Sequence, residues 1–134
     1  MEASEVRIGN WIQCRQRGTD KEFINARVNL GHIVDMCGKE PYLERQPTPI
    51  TKEILLNAGF NTRTTAGHSV EYFIGENPIT HDWLFHICWL ERNECPFYKN
   101  GHFLIHYVHQ LQNLYRFLCG EELEINLTQE GQKL

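Results

Sequence analysis

The sequence predicts an α+β fold: a mostly antiparallel, curled sheet with one short helix near 52–58, one longer helix near 107–119 and a short edge strand after it. Three observations carry this. Apolar residues alternate through much of the chain, which is the period of a half-buried strand. Between Tyr107 and Cys119 the period changes to that of a helix, and Gly120 stops it. Lys99-Asn100-Gly101 between two apolar pairs is a hairpin signal, because Asn-Gly suits a type I′ turn.

Val6 and Ile8 alternate ahead of Gly9-Asn10, which predicts a strand, then a turn or bulge, before Trp11, Ile12 and Cys14. Arg15 to Glu22 is polar and predicts a loop. Ile24, Ala26, Val28, Leu30, Val34 and Met36 share one parity, which predicts a long strand or two strands meeting at Gly31. Gly38 to Pro49 is expected to be a connection held extended by Pro41, Pro47 and Pro49. Thr51 is placed to cap a short helix, with Glu53 in its first turn, Ile54, Leu55 and Ala58 on its apolar side and Gly59 at its end. Asn61 to Ser69 is polar and predicts a loop or hairpin tip. Val70, Tyr72 and Ile74 predict a strand. Trp83 to Leu90 is apolar on both faces, as a central strand covered on both sides would be.

In the longer helix Val108, Leu111, Leu114, Tyr115 and Leu118 form the stripe expected to be buried. Leu123, Ile125 and Leu127 alternate with Glu122, Glu124 and Asn126, which predicts the terminal edge strand, its glutamates guarding against edge-to-edge pairing. The expected organisation is one domain over residues 1–128 and a flexible tail over 129–134.

Charge and cysteines narrow the function classes. The net charge of −4 argues against general nucleic-acid binding. The chain starts with no cationic segment leading into an apolar run, and the longest apolar run is broken by His86. Neither an export leader nor a membrane span is therefore expected. Five cysteines, an odd number, fit reduced thiols in a cytosol. No CxxC pair, GxSxG elbow, HExxH or glycine-rich phosphate loop occurs, so no catalytic residue and no cofactor is assigned.

Two constellations remain. His102, His106 and His109 lie close together and could meet at a strand-to-helix corner as metal ligands, although their spacing matches no zinc pattern. The polar side of the longer helix carries His109, Gln112 and Arg116 at i, i+3 and i+7, with Gln110 and Asn113 on another edge. No acid occurs from Pro96 to Gly120. Donors and a cation without a carboxylate suit a phosphate, a nucleotide-like anion or an acidic partner. The competing reading is that these amides satisfy backbone inside the fold. Trp11, Tyr98 and Phe117 fall outside the clearest core patterns, and Trp11 joins the ligand-binding candidates as a stacking surface.

Tyr107-Val108-His109-Gln110-Leu111-Gln112-Asn113-Leu114-Tyr115 and Gly120-Glu121-Glu122-Leu123 resemble the closing segment of small proteins of Bacteroides-type gut bacteria, their prophages and phages, which commonly end in YVHQLQNLYFALTGEEL. Arg7-Ile8-Gly9-Asn10 and Pro47-Thr48-Pro49-Ile50-Thr51 resemble that family's opening strand and helix start. The chain departs from the pattern at Arg116 and at Leu118-Cys119. The resemblance brings no established activity or catalytic residue; it implies a phage or mobile-element setting, and with it the cytoplasm of a bacterial host. The expected function is a non-enzymatic binding protein, a counter-defence factor that binds a host protein or sequesters a small anionic, nucleotide-like signal. The alternatives are a metal-dependent or nucleotide-acting enzyme using the histidines, and a homo-oligomeric component of a phage particle.

Overall fold

The computed structural model describes residues 1, 3–65, 69–75, 85–90, 95–98 and 103–127. It is α+β, as the sequence predicts, with every strand pair antiparallel. The strands form two sheets rather than one. The chain divides into two compact units: one of 1–49, 107–109 and 127–134, the other of 50–106 and 110–126.

The first unit opens with a 3₁₀ turn, Ala3–Glu5, and a three-stranded sheet of β1 (Trp11–Gln16), β2 (Ile24–Arg27) and β3 (Leu43–Pro47) in the order β2-β1-β3. The expected strand at Val6 and Ile8 is absent. Val6 is buried while Ile8 is exposed, because the chain turns at Gly9 with φ 97°. Asn10 fixes that turn: its Oδ1 accepts the Arg7 N–H at 2.8 Å, and its own N–H goes to the Arg7 carbonyl.

The long strand expected through Met36 ends at Arg27, and Leu30–Met36 is a helix, α1. Asn29 caps it, its side chain accepting the His32 N–H. Leu30, Val34 and Met36 keep an extended parity while Leu30, Ile33 and Val34 keep a helical spacing, and the cap decides between them. Ile33 and Met36 turn inward onto Val6, Ile12 and Val28.

The segment of β3 was expected to be an extended connection, and it is extended but belongs to the sheet. It pairs with β1 from Gln16↔Leu43 to Ile12↔Pro47. The Arg17 N–H bonds the Tyr42 carbonyl, so antiparallel alternation turns the backbone groups of Leu43, Arg45 and Pro47 to the sheet's outer edge. That edge is closed to further strands. The Leu43 N–H goes to Asp35, its carbonyl accepts the Arg45 guanidinium, and Pro47 has no N–H.

The second unit holds α2 (Lys52–Asn57) and a five-stranded sheet, β4 (Asn61–Thr65), β5 (Ser69–Ile74), β6 (Phe85–Leu90), β7 (Phe97–Tyr98) and β8 (Phe103–Leu104), ordered as numbered. α2 is capped by Thr51 as its sequence predicts, and Gly59 at φ 91° ends it. β4 takes up the first part of the loop or hairpin tip expected at 61–69, of which 66–68 lie outside the described residues; its threonines suit an edge strand, which the polar composition disguised. β6 is the central strand that its apolar faces require. Phe85, Ile87 and Trp89 are buried on one face and Cys88 on the other. Phe85 packs its ring against Phe60, Tyr98 and Tyr115 at centroid distances of 6.1, 5.5 and 5.2 Å. β7 and β8 form the expected hairpin; its turn, like the start of the expected 83–90 strand, lies outside the described residues.

α3 (Val108–Cys119) follows, its first two residues counted with the first unit. Val108 and Leu111 are wholly buried and Tyr115 nearly so. Leu118, expected in the buried stripe, is exposed, because it sits in the last turn beyond the covered stretch. The expected edge strand is also absent. Leu123 and Ile125 are buried in alternation, but residues 122–127 join no sheet. Alternation reported the side chains correctly; an irregular segment lying on a core shows the same pattern as a strand. The Asn126 N–H is bound by the Asn57 side chain instead of a ladder partner. The expected tail, 129–134, lies outside the described residues.

Candidate functional site

The polar side of α3 is not an open surface. His109 and Gln112 are only 6% and 2% exposed. The His109 ring stacks on Tyr107 with centroids 5.9 Å apart and planes 9° from parallel. Burial pushes the His109 pKa down, with Glu5 opposing the shift, and its buried Nδ1 has no hydrogen-bond partner. Gln110 is exposed, but its Oε1 accepts the His106 N–H at 2.9 Å just before the helix. Asn113 is half-buried. Arg116 is exposed, bonds the Gly120 carbonyl at the helix end and lies 3.9 Å from Glu122. Trp11, 2% exposed, lies in the core of its sheet with the Arg27 guanidinium 5.1 Å from its ring, so no ligand can stack on it.

Within the first unit Trp11 and His109 are thus buried, and within the second Gln112 is buried while Gln110 and Arg116 are exposed. Amides and a histidine on one helix side describe a solvated face and a satisfied interior equally well.

His106 is exposed and His109 buried, while His102 lies outside the described residues. Among the described residues no three His, Cys, Asp or Glu side chains gather as a metal site would require. A polar cluster of the second unit is structural in form. Glu71, 5% exposed at its side chain, is gripped by Arg63 Nε and Nη2 at 3.0 and 2.5 Å and lies 3.4 Å from His86 Nε2.

An accessible surface with a hydrogen-bonded base lies in the first unit, around α1 and β3. Asp35 holds it together. Its Oδ1 accepts the Tyr42 N–H at 2.9 Å; its Oδ2 accepts the Leu43 N–H at 3.2 Å and Arg45 Nη1 at 2.7 Å. The Tyr42 N–H above all, then the Arg45 guanidinium, hold the Asp35 pKa down at about 2. Arg45 Nε donates to His32 Nδ1 at 3.0 Å, which puts the imidazole proton on Nε2. Burial, helped by Arg45 and opposed by Asp35, lowers the His32 pKa. The Arg45 side chain is only 4% exposed, so this network fixes α1 against the sheet rather than waiting for a ligand.

What α1 presents outward is apolar. No residue of this helix is buried. Leu30 and Val34, one turn apart on one side, are each 66% exposed, and so is Tyr42. Beside them runs a groove of about 300 Å³ lined by Asn29, Gly31, His32, Asp35, Tyr42 and Leu43, with Arg45. Sequence reading missed this site because it missed α1. Asn29 before Leu30, Ile33 and Val34 is the signal that would have found it.

In the second unit Phe117 and Leu118 are exposed on the last turn of α3. Among the described residues no helix is long and apolar enough to cross a membrane. Compared with family models, with curated proteins and with solved structures, the chain matches none.

Proposed function

We propose that this protein is a non-enzymatic binding protein that docks a protein partner on the outer face of α1. One observation carries the reading: Leu30 and Val34 are exposed on a helix that the Asp35–Arg45 pair and two backbone hydrogen bonds lock to β3, and Tyr42 is exposed just ahead of that strand. Apolar groups held rigidly at a surface lose little further freedom on binding, which is the condition for a useful contact. The phage-like resemblance of the closing segment supports a mobile-element setting. There the partner is a host protein, and counter-defence is the corresponding role. A nucleotide-like ligand on α3 is the weaker reading, because His109 and Gln112 are turned inward and Arg116 is engaged by its own helix end.

The test is recovery of partners from a bacterial host by the wild-type chain and by the Leu30→Asp/Val34→Asp double variant. A partner kept by the first and lost by the second, with both chains unfolding at the same temperature, is the expected result. A partner retained by the double variant, or lost equally with Arg116→Ala, contradicts it. Stoichiometric zinc or manganese in the purified protein would turn the assignment toward a metal enzyme.

A further inference from the structure

A second cleft, of about 360 Å³, lies on the other side of Leu43 and Arg45, which line it together with the α1 groove. Its volume is at the low end of ligand pockets, about 300–1,000 Å³. Its walls are mixed: Phe23, Met36, Pro41 and Leu43 supply the apolar part, and Arg17, Glu44, Arg45 and Gln46 the polar part. The Phe23 ring is held in place by the Arg15 guanidinium, 4.3 Å from its centroid.

Three charged side chains reach this cleft, and two are already spent. Arg45 is bound to Asp35. The Glu44 carboxylate accepts Arg15 Nε at 2.9 Å and the Gly18 N–H at 3.2 Å, and those bonds lower its pKa. Arg17 is the remainder. It is exposed and close enough to Glu44 to contribute to that lowering, yet among the described residues its guanidinium hydrogen-bonds to nothing.

We infer that this cleft seats an acidic–apolar segment of the protein partner, its Asp or Glu carboxylate on Arg17 and a neighbouring Leu, Ile, Met or Phe side chain against Phe23 and Met36. The inference rests on the protein-binding reading above and names the chemistry of the partner. Arg17 supplies a planar fork suited to a carboxylate. Among the described side chains that line the cleft no second uncommitted cation stands beside it, so a free phosphate or nucleotide would find little more than one solvated guanidinium. An extended chain, by contrast, can fill both adjoining clefts, pass over Leu43 and meet the His32 Nε2–H in the groove.

The experiment selects a random peptide library on the immobilised full chain, in the wild-type, Arg17→Glu and Arg17→Gln forms. Arg17 has an exposed side chain and holds the fold only through its backbone, so both variants should melt with the wild type. The expected result is enrichment of peptides with Asp or Glu beside an aliphatic or aromatic residue. These should bind Arg17→Gln about ten-fold more weakly, while Arg17→Glu selects Lys or Arg at that place. Enrichment without a carboxylate, equal binding to Arg17→Glu, or no enrichment overturns the inference. Arg17-dependent binding of inorganic phosphate or ATP without any selected peptide also overturns it, in favour of a small anion. The two readings fail separately. A partner lost by the Leu30→Asp/Val34→Asp variant but indifferent to Arg17→Glu leaves docking on α1 intact and removes the acidic segment.

Discussion

α1 and α3 invert what helices of their composition suggest. α3, twelve residues long with a histidine, amides and an arginine along one side, is held by burial: Val108 and Leu111 are wholly covered and Gln112 nearly so. α1, seven residues long and largely apolar, buries nothing completely and is held by hydrogen bonds and an ion pair. A helix tied down through its polar atoms is free to leave apolar ones outside. A helix tied down through its apolar stripe draws neighbouring polar groups inward with it. The surface is therefore to be sought on the element whose anchoring is polar.

Stability measurements can break this comparison, the largest expected effect being in α3. Leu111→Ala should cost about 2–5 kcal/mol by denaturant unfolding, as for other wholly buried leucines. A loss no greater than that of a surface change would deny that α3 is the buried helix.

Acid should next act on α1. The Asp35 pKa is about 2 folded against an ordinary 3.8. Its contribution is complete above 3.8 and lost as pH falls from there toward 2. Asp35→Asn should abolish that part of the acid transition and loosen α1, seen as faster amide exchange at residues 30–36. An unchanged acid limb and unchanged exchange would remove the anchor from the account.

Histidine titration gives a smaller effect. Burial lowers the His109 pKa below its ordinary 6.5, so the unfolded chain takes up the proton first. Stability should fall as pH drops through 6.5, until the folded-state pKa is passed. His32 acts in the same direction. His109→Gln should make this slope shallower; an unaltered slope would mean that the ring is not held neutral by its surroundings. The smallest effects should be at Leu30→Ala and Arg116→Ala, both within about 0.5 kcal/mol.

Much of the fold was legible because several signals agreed locally. Thr51 and Gly59 bracket α2, alternation marks β5 and β6, and the 3.6-residue period marks α3. The rest was hidden where one pattern fits two structures. Leu30 to Met36 satisfies both periods, β4 and β3 are polar enough to read as loops, and Leu123 to Leu127 alternates without a partner strand. The α1 surface was illegible for a further reason. Asp35, Tyr42 and Arg45 are brought together only by the pairing of β3 with β1, and no local spacing announces that.

The most direct test of α1 as the docking surface is photo-crosslinking in host cells, with a benzophenone side chain at position 34 and, separately, at position 117. A discrete adduct with a second protein from position 34, abolished by Leu30→Asp, is the predicted result. An adduct from position 117 with none from position 34 would place the contact on the end of α3 and contradict it.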